Sequence, residues 1–271
     1  MIRDITVGQY YPADSFVHRL DPRVKLFTTM IFIIALFAYK GLAGLGFITL
    51  FLFMAIKLSK VPFKYMVKGL KAIVFLLLIT SLFSILFTEG QHNLVKFGII
   101  VISDTGITNG VNMVIRLIYL VLGTSLMTLT TTPNQLTDGL EKSLGFLNKI
   151  HFPVHEVAMM MSIALRFIPI LMEETDKIMK AQMARGADFE NGSLFQKAKN
   201  MVPLLVPLFV SAFRRADDLA MAMEARCYNG GQGRTKMKPL AYKKADAIAY
   251  VCAIIFLAGI ILLRIFAKFP A

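Results

Sequence analysis

Acidic residues are in short supply in this 271-residue chain: 17 Asp and Glu stand against 30 Lys and Arg, a formal net charge of +13. Charge of either sign is scarce, at 17% of residues against 56% apolar, and the mean hydropathy is +0.63. Soluble domains average about a quarter charged, so an ordinary soluble fold is excluded. A nucleic-acid partner is disfavoured as well, because a polyanion binder should not be this hydrophobic. Cysteine is almost missing. Cys227 and Cys252 fall in a predicted cytoplasmic tip and an apolar run, which implies no disulfide framework. No cleavable leader pattern is visible: residues 1–25 hold Asp4, Asp14 and Asp21 and no apolar core, so insertion is expected to use the first span itself. Serine, cysteine and carboxylate side chains form no catalytic pattern, and no enzymatic activity is expected.

What the chain does have is apolar runs separated by basic loops. Runs at 26–39, 41–56, 72–88, 111–131 and 246–263 are each roughly 14–20 residues, near the lower limit for a ~30 Å hydrocarbon core. The Lys40-Gly41 break separates the first two, and a polar stretch at 89–108 separates the third from the fourth. Asp21-Pro22 marks a turn and a helix start before the first run. Basic residues cluster on one side. Arg3, Arg19, Arg23 and Lys25 precede the first run, Lys57, Lys60, Lys64, Lys68 and Lys71 follow the second, and more than half of the 30 lie in 132–245. The positive-inside rule then puts the N-terminus in the cytoplasm, and the basic excess meets anionic headgroups there. The expected architecture is an all-α membrane protein of about five transmembrane helices, with long amphipathic helices at the cytoplasmic face. Its parts are 1–131 with four spans, a cytoplasmic region at 132–245, and a last span in 246–271. In the rival topology 157–172 and 201–213 span as well, which would put Lys149 and Asn191 on opposite sides.

The region 132–245 repeats itself. One long helix closes as Gln182-Met183-Ala184-Arg185-Gly186, the other as Met223-Glu224-Ala225-Arg226-Cys227, with the arginines 41 positions apart. Nine residues before each Arg stands an Asp (Asp176, Asp217), and four before each an Ala (Ala181, Ala222). Thr132-Pro133 opens a short helix with Leu136, Leu140 and Leu144 on one face. The first long helix, 155–184, reads as about 45 Å at 1.5 Å per residue. It is apolar to Met172 apart from Arg166 and Pro169; then Leu171, Thr175, Ile178 and Met179 take one side. The second is apolar from Met201 to Ala212, interrupted by Pro203 and Pro207, and then carries Phe213, Ala216, Ala220 and Met223 on one face. Arginine offers a planar fork for carboxylates and stays protonated, the preceding alanine allows close approach, and Gly186 permits the positive φ that ends a helix. Cys227 lacks that freedom, so the second end is expected to turn later, at Asn229-Gly230. Met159, Met160, Met161, Met172, Met179, Met183, Met221 and Met223 suit either a surface that repacks against several partners or a gap-filled core.

Other patterns carry less. Gly230-Gly231-Gln232-Gly233-Arg234-Thr235-Lys236 fails the spacing of a phosphate loop and follows a helix, so it reads as a basic linker. His151 and His155 have a zinc-like i,i+4 spacing, but Pro153 breaks the helix they would share, so no metal is expected. Arg116, inside the fourth run, is read as supporting a helix contact rather than a substrate.

His18-Arg19-Leu20-Asp21-Pro22-Arg23-Val24-Lys25, Leu165-Arg166-Phe167-Ile168-Pro169, Ala184-Arg185-Gly186 and Ala222-Met223-Glu224-Ala225-Arg226-Cys227 resemble the EcfT transmembrane subunit of energy-coupling factor (ECF) transporters, in order over nearly the whole chain. Cys227 departs from the usual glycine. The resemblance implies a non-catalytic, multi-pass subunit of a bacterial or archaeal cell membrane that links two ABC-type ATPase subunits to a separate substrate-binding membrane subunit (S component) for vitamin uptake. Several S components could interchange on it. Arg185 and Arg226 would each enter a groove on one ATPase, with Ala184, Gly186, Ala225 and Cys227 shaping the ends. ATP and magnesium would sit on the partners and no cofactor on this chain. The alternative is a stand-alone permease with its substrate near Arg116, against which the absence of a second inverted set of spans counts.

Overall fold

The computed structural model describes residues 10–38, 42–87, 93–97, 100–189, 193–231, 237 and 239–268. The Lys40-Gly41 break, Asn191 and residues 232–236 of the glycine-rich stretch lie outside the described residues. The chain is helical, with α1 (Pro22–Ala38), α2 (Leu42–Ser59), α3 (Phe63–Phe87), α4 (Asp104–Thr130), α5 (Pro133–Ser143), α6 (Val154–Ala184), α7 (Leu194–Ala225) and α8 (Lys244–Lys268). A 3-10 turn, Gly145–Ile150, precedes α6. Between α3 and α4 the expected polar interruption instead holds two antiparallel strands, β1 (Asn93–Phe97) and β2 (Ile100–Ser103), with Val95 opposite Ile102 and Phe97 opposite Ile100. Their β-branched and aromatic residues favour pleated pairing.

Capping serines move two helix starts ahead of where apolar periodicity alone put them. Ser103 is fully buried and its hydroxyl accepts from the Gly106 amide at 3.0 Å, so α4 starts at Asp104 rather than near Val111. Ser193 does the same for Gln196 at 3.4 Å, and α7 begins at Leu194 rather than Met201. A hydroxyl at that position satisfies an amide the helix leaves unpaired. The start of α5 is as expected: Thr132 and Gln135 exchange side-chain-to-amide bonds of 3.2 and 3.3 Å, a reciprocal cap.

Among the described residues three helices are long and apolar enough to cross a membrane: Gly106–Thr130, Val154–Ala184 and Lys244–Phe266. A fourth crossing follows if the parts of α3, Phe63–Lys71 and Ile73–Leu86, which meet at a 60° bend, act as one span. The described parts of α1 and α2, 17 and 18 residues, adjoin residues 39–41, which lie outside the described residues, and do not qualify by length as they stand. The expected set of five is therefore not reproduced by length and composition. The fourth and last runs qualify, the third only if its bent parts count as one span, and α6, which the sequence placed at the cytoplasmic face, qualifies as well.

The chain divides into two compact units: Leu140–Pro239, and Gln9–Gly139 together with Leu240–Ala271. In the latter, α1, α2, α3, α4 and α8 contribute to one core in which Leu36, Ile48, Met66 and Ile260 are completely buried. At its centre Phe256 stacks on Phe51 with centroids 4.1 Å apart and on Phe47 at 5.6 Å, with Phe32 alongside. Gly123 of α4 is needed there, since a Cβ would come within 2.4 Å of the Phe32 ring.

The same unit is fastened at the start of α1. Asp246, almost wholly buried, accepts from the amides of Asp21 at 2.8 Å and Lys243 at 2.7 Å, tying the first turn of α1 to that of α8. Arg23 grips Asp21 through Nε at 3.0 Å and Nη2 at 2.9 Å and lies 3.9 Å over the Tyr242 ring. Lys25 Nζ reaches the Thr130 carbonyl at 2.7 Å, at the end of α4. Burial pushes the Asp21 carboxyl up, but the bonds from Arg23 outweigh it and leave the group below its ordinary value of 3.8. The stability Asp21 contributes is thus present above that value and is lost as pH falls through the lower folded one. Removing the Asp246 carboxylate strands the buried Asp21 amide at about 1–3 kcal/mol and also releases the part-buried Lys243 amide. Asp246→Ala is expected to lower stability by about 3 kcal/mol and Asp246→Asn by less, read as thermal unfolding in detergent. An unchanged midpoint for Asp246→Ala would show that the joint lies elsewhere.

Candidate functional site

Leu140–Pro239 is built on two helices of nearly equal length, 31 residues in α6 and 32 in α7. On α6, Leu171, Thr175, Ile178 and Met179 are half-buried as their spacing predicts, with Glu173, Lys177 and Lys180 exposed. On the corresponding second half of α7, from Ser211 on, the half-buried positions are Ser211, Ala212, Arg215, Leu219 and Met223. Of the expected apolar stripe only Met223 is half-buried; Phe213, Ala216 and Ala220 are exposed. Met160, Met161, Met183 and Met221 are exposed too, so these thioethers belong to the surface rather than to a gap-filled core.

Both helices end in the same hydrogen-bonded turn. At the end of α6 the Gly186 amide donates to the Met183 carbonyl at 2.9 Å and the Ala187 amide to Gln182 at 3.0 Å. At the end of α7 the Cys227 amide donates to Glu224 at 2.8 Å and the Tyr228 amide to Met223 at 3.0 Å. This pair of bonds satisfies carbonyls that a helix end leaves open, and it requires the residue after the cap to be left-handed. Gly186 has φ +91° and Cys227 φ +54°. Cys227 therefore does not delay the turn to Asn229-Gly230: it adopts the left-handed conformation itself. The carbonyl bonds it secures offset a Cβ clash of about 1–2 kcal/mol.

The consequence is matched geometry at the two ends. Arg185 and Arg226 are the capping residues, with φ of −89° and −95°, and both are exposed. Among the described residues neither guanidinium has a hydrogen-bond partner. Ala184, Gly186, Ala225 and Cys227 are exposed beside them, so each fork stands on a small-residue platform, at the helix end where positive charge is favoured. Such an end suits a socket lined with carboxylates or carbonyls.

The remaining candidates resolve as follows. His155 Nδ1 pairs with Glu141 at 3.0 Å and its ring packs against Gly231, while His151 takes a left-handed conformation that ends the 3-10 turn. The two histidines do not share a helix. In the other unit, the Arg116 guanidinium lies 5.6 Å over the Phe37 ring, a contact between α4 and α1. Sequence reasoning missed a contact between the long helices: Glu174 of α6 accepts from Ser211 Oγ and from Arg215 Nη2 at 2.7 Å. The repeat itself held the signal, because Glu174 and Arg215 are also 41 apart.

Comparison with known proteins adds the family. A family model described as "Cobalt transport protein" (CbiQ) matches residues 13–237. Relatives named "Energy-coupling factor transporter transmembrane protein EcfT" are 56% identical in Clostridium kluyveri, covering 98% of both chains, and 49% identical in Thermosediminibacter oceani, covering 97% of this chain and 99% of that one. The Bacillus subtilis relative of that name is 47% identical over 97% of this chain and all of its own. The chain belongs to the EcfT family. It is a transmembrane component of an energy-coupling factor transporter, and the sequence resemblance is thereby confirmed.

In this EcfT-family chain the cost at Cys227 is testable. Cys227→Gly removes the clash but loses more backbone entropy on folding, so a net gain of about 1 kcal/mol or less is expected. A β-branched residue is far less tolerant of positive φ, so Cys227→Val is expected to unwind the last turn of α7. Hydrogen exchange at the Cys227 and Tyr228 amides reads both. Equal protection in the valine variant would refute the left-handed turn.

Proposed function

We propose that this chain is the scaffold and coupling subunit of an ECF-type ABC importer, receiving motion from two ATPase subunits at Arg185 and Arg226 and passing it to a substrate-binding membrane subunit. The observation that carries the reading is the pair of identically turned helix ends, each presenting an exposed arginine in the same local frame. One such end suits any helix dipole; two in register suit a partner with two similar sockets. In this role the ATPase pair binds ATP and magnesium, this chain binds neither, and it performs no catalysis. The coupling energy comes from a difference in affinity of the two ends for the open and closed ATPase pair, since equal affinity would shift nothing. The exposed methionines and the Phe213 stripe supply an adaptable surface for one S component or several interchangeable ones. The cargo site, for a vitamin or a metal ion, then lies on that other subunit.

In this reading the chain is a multi-pass protein of a bacterial or archaeal cell membrane, and α6 lies along the cytoplasmic face in spite of its apolar first half. Glu173, Glu174, Asp176, Lys177 and Lys180 would otherwise enter the bilayer, where such groups are costly. Lys149 and Asn191, which flank α6, are then expected to be reached by the same side-specific thiol reagent when each is replaced by cysteine. Labelling from opposite sides would move α6 into the bilayer.

The arginines are tested directly. Losing one buried, hydrogen-bonded charge pair costs about 2–5 kcal/mol, so Arg185→Glu or Arg226→Glu should weaken retention of the ATPase subunits by at least about 30-fold, and the double variant should abolish it. Pull-down from membranes, with uptake assayed alongside, measures this. Retention and uptake equal to wild type in the double variant would end the proposal. Uptake by the purified chain alone in liposomes would instead favour a stand-alone permease.

A further inference from the structure

We infer that Glu174, Ser211 and Arg215 form a pivot that fixes the spacing of the two arginine ends, so that α6 and α7 act beyond it as two stiff arms of equal length. The inference rests on the reading of Arg185 and Arg226 as partner contacts but deals with residues that touch no partner in that reading.

The first support is register. Glu174 stands eleven residues before Arg185, and Arg215 eleven before Arg226. The copies of the repeat therefore meet at one equivalent level, and each arm extends about 16 Å past it. A contact between equivalent positions would set like beside like if the copies were identical. Here the copies differ at this level, as Glu and Arg, and the contact is attractive.

The second is geometry. Three donors converge on a single carboxylate: Ser211 Oγ on Oε1, with Arg215 Nε at 3.1 Å and Nη2 at 2.7 Å on Oε2. The Glu174 side chain is only 22% exposed. Exposed, single-contact ion pairs hold little; a paired fork on a half-buried carboxylate holds geometry as well as energy. Among the described residues, the side-chain hydrogen bonds and the ion pair between α6 and α7 themselves all fall at this level; a further bond, Asn200 Nδ2 to the Asp188 carbonyl at 2.6 Å, ties the start of α7 to the loop after α6.

The third is what lies on either side. Pro169 in α6, and Pro203 and Pro207 in α7, all precede the contact. Beyond it, 174–184 and 215–225 contain no proline or glycine; the first holds two each of Ala, Met and Lys and the second four Ala and two Met, good helix formers. From Ala216 to Arg226 only Leu219 and Met223 are even half-buried. That arm carries little packing of its own, so its direction is set at the contact.

The test measures the spacing itself. Spin labels at Lys180→Cys and Met221→Cys, equivalent and exposed positions on the two arms, are placed on the full chain in lipid nanodiscs, with Cys227→Gly and Cys252→Ser removing the native thiols. A single narrow distance distribution is expected. Glu174→Ala and Arg215→Ala should each broaden it at least two-fold, and the exchange Glu174→Arg with Arg215→Glu should narrow it again. Unchanged width in the alanine variants would overturn the pivot, as would an exchanged pair no narrower than they are. Retention of co-expressed ATPase subunits by the unlabelled wild type is measured alongside. Loss of retention with an intact distance that depends on Glu174 and Arg215 defeats only the partner reading; full retention with a distance indifferent to them defeats only the pivot.

Discussion

A helix of some thirty residues has to dispose of its last carbonyls, and in this chain that requirement fixes the most informative feature of the molecule. Both long helices solve it with one reversed turn, and the turn forces a left-handed residue directly after the cap. The capping side chain is then thrown clear of the helix with small neighbours on either side. Arginine at that position is exposed by backbone geometry rather than by any contact of its own. That the second helix accepts a left-handed cysteine to obtain the same turn argues that the turn, not the glycine, is what the local structure preserves.

The other unit rests on a different economy. Much of its surface is apolar, so the features that define its packing are few and polar or aromatic: the Phe47–Phe51–Phe256 stack, Gly123 beneath Phe32, and the Asp21–Asp246 joint. Burying a carboxylate such as Asp246 is tolerable because two backbone amides meet it. The joint ties the first turn of α1 to α8, the element most distant from it in sequence, and Lys25 extends the tie to the end of α4.

Much of this was legible in the sequence and some was not, for reasons that differ by residue. The paired Ala-Arg ends, the Thr132 cap and the apolar runs of α4 and α8 were readable because each rests on a short, local rule. Ser103 and Ser193 are equally local signals, but the apolar runs of α4 and α7 begin several residues after these caps, so hydropathy alone places both starts late. The two strands, Asn93–Phe97 and Ile100–Ser103, are short and lack a polar/apolar alternation, so no period of two marks them in the sequence. At Cys227 the residue's own φ preference and the carbonyls that a helix end must satisfy point in opposite directions, and the carbonyls win. The Asp21–Asp246 joint and the Glu174–Arg215 contact join residues 225 and 41 positions apart, and no local rule reaches that far. Only the second had a sequence trace, in the period of the repeat.

That period also bears on how force could travel through such a unit. A displacement applied at a helix end is transmitted only as far as the helix stays straight and its base stays fixed. The segments from Glu174 and Arg215 to the two ends meet the first condition by composition, being free of proline and glycine. The prolines lie on the far side, where a helix that has lost a backbone bond can bend. A contact placed between the stiff and the breakable parts of both helices is where a rigid pair of arms would need to be joined. Were the prolines beyond the contact instead, motion at the arginines would be absorbed within a turn or two of where it entered.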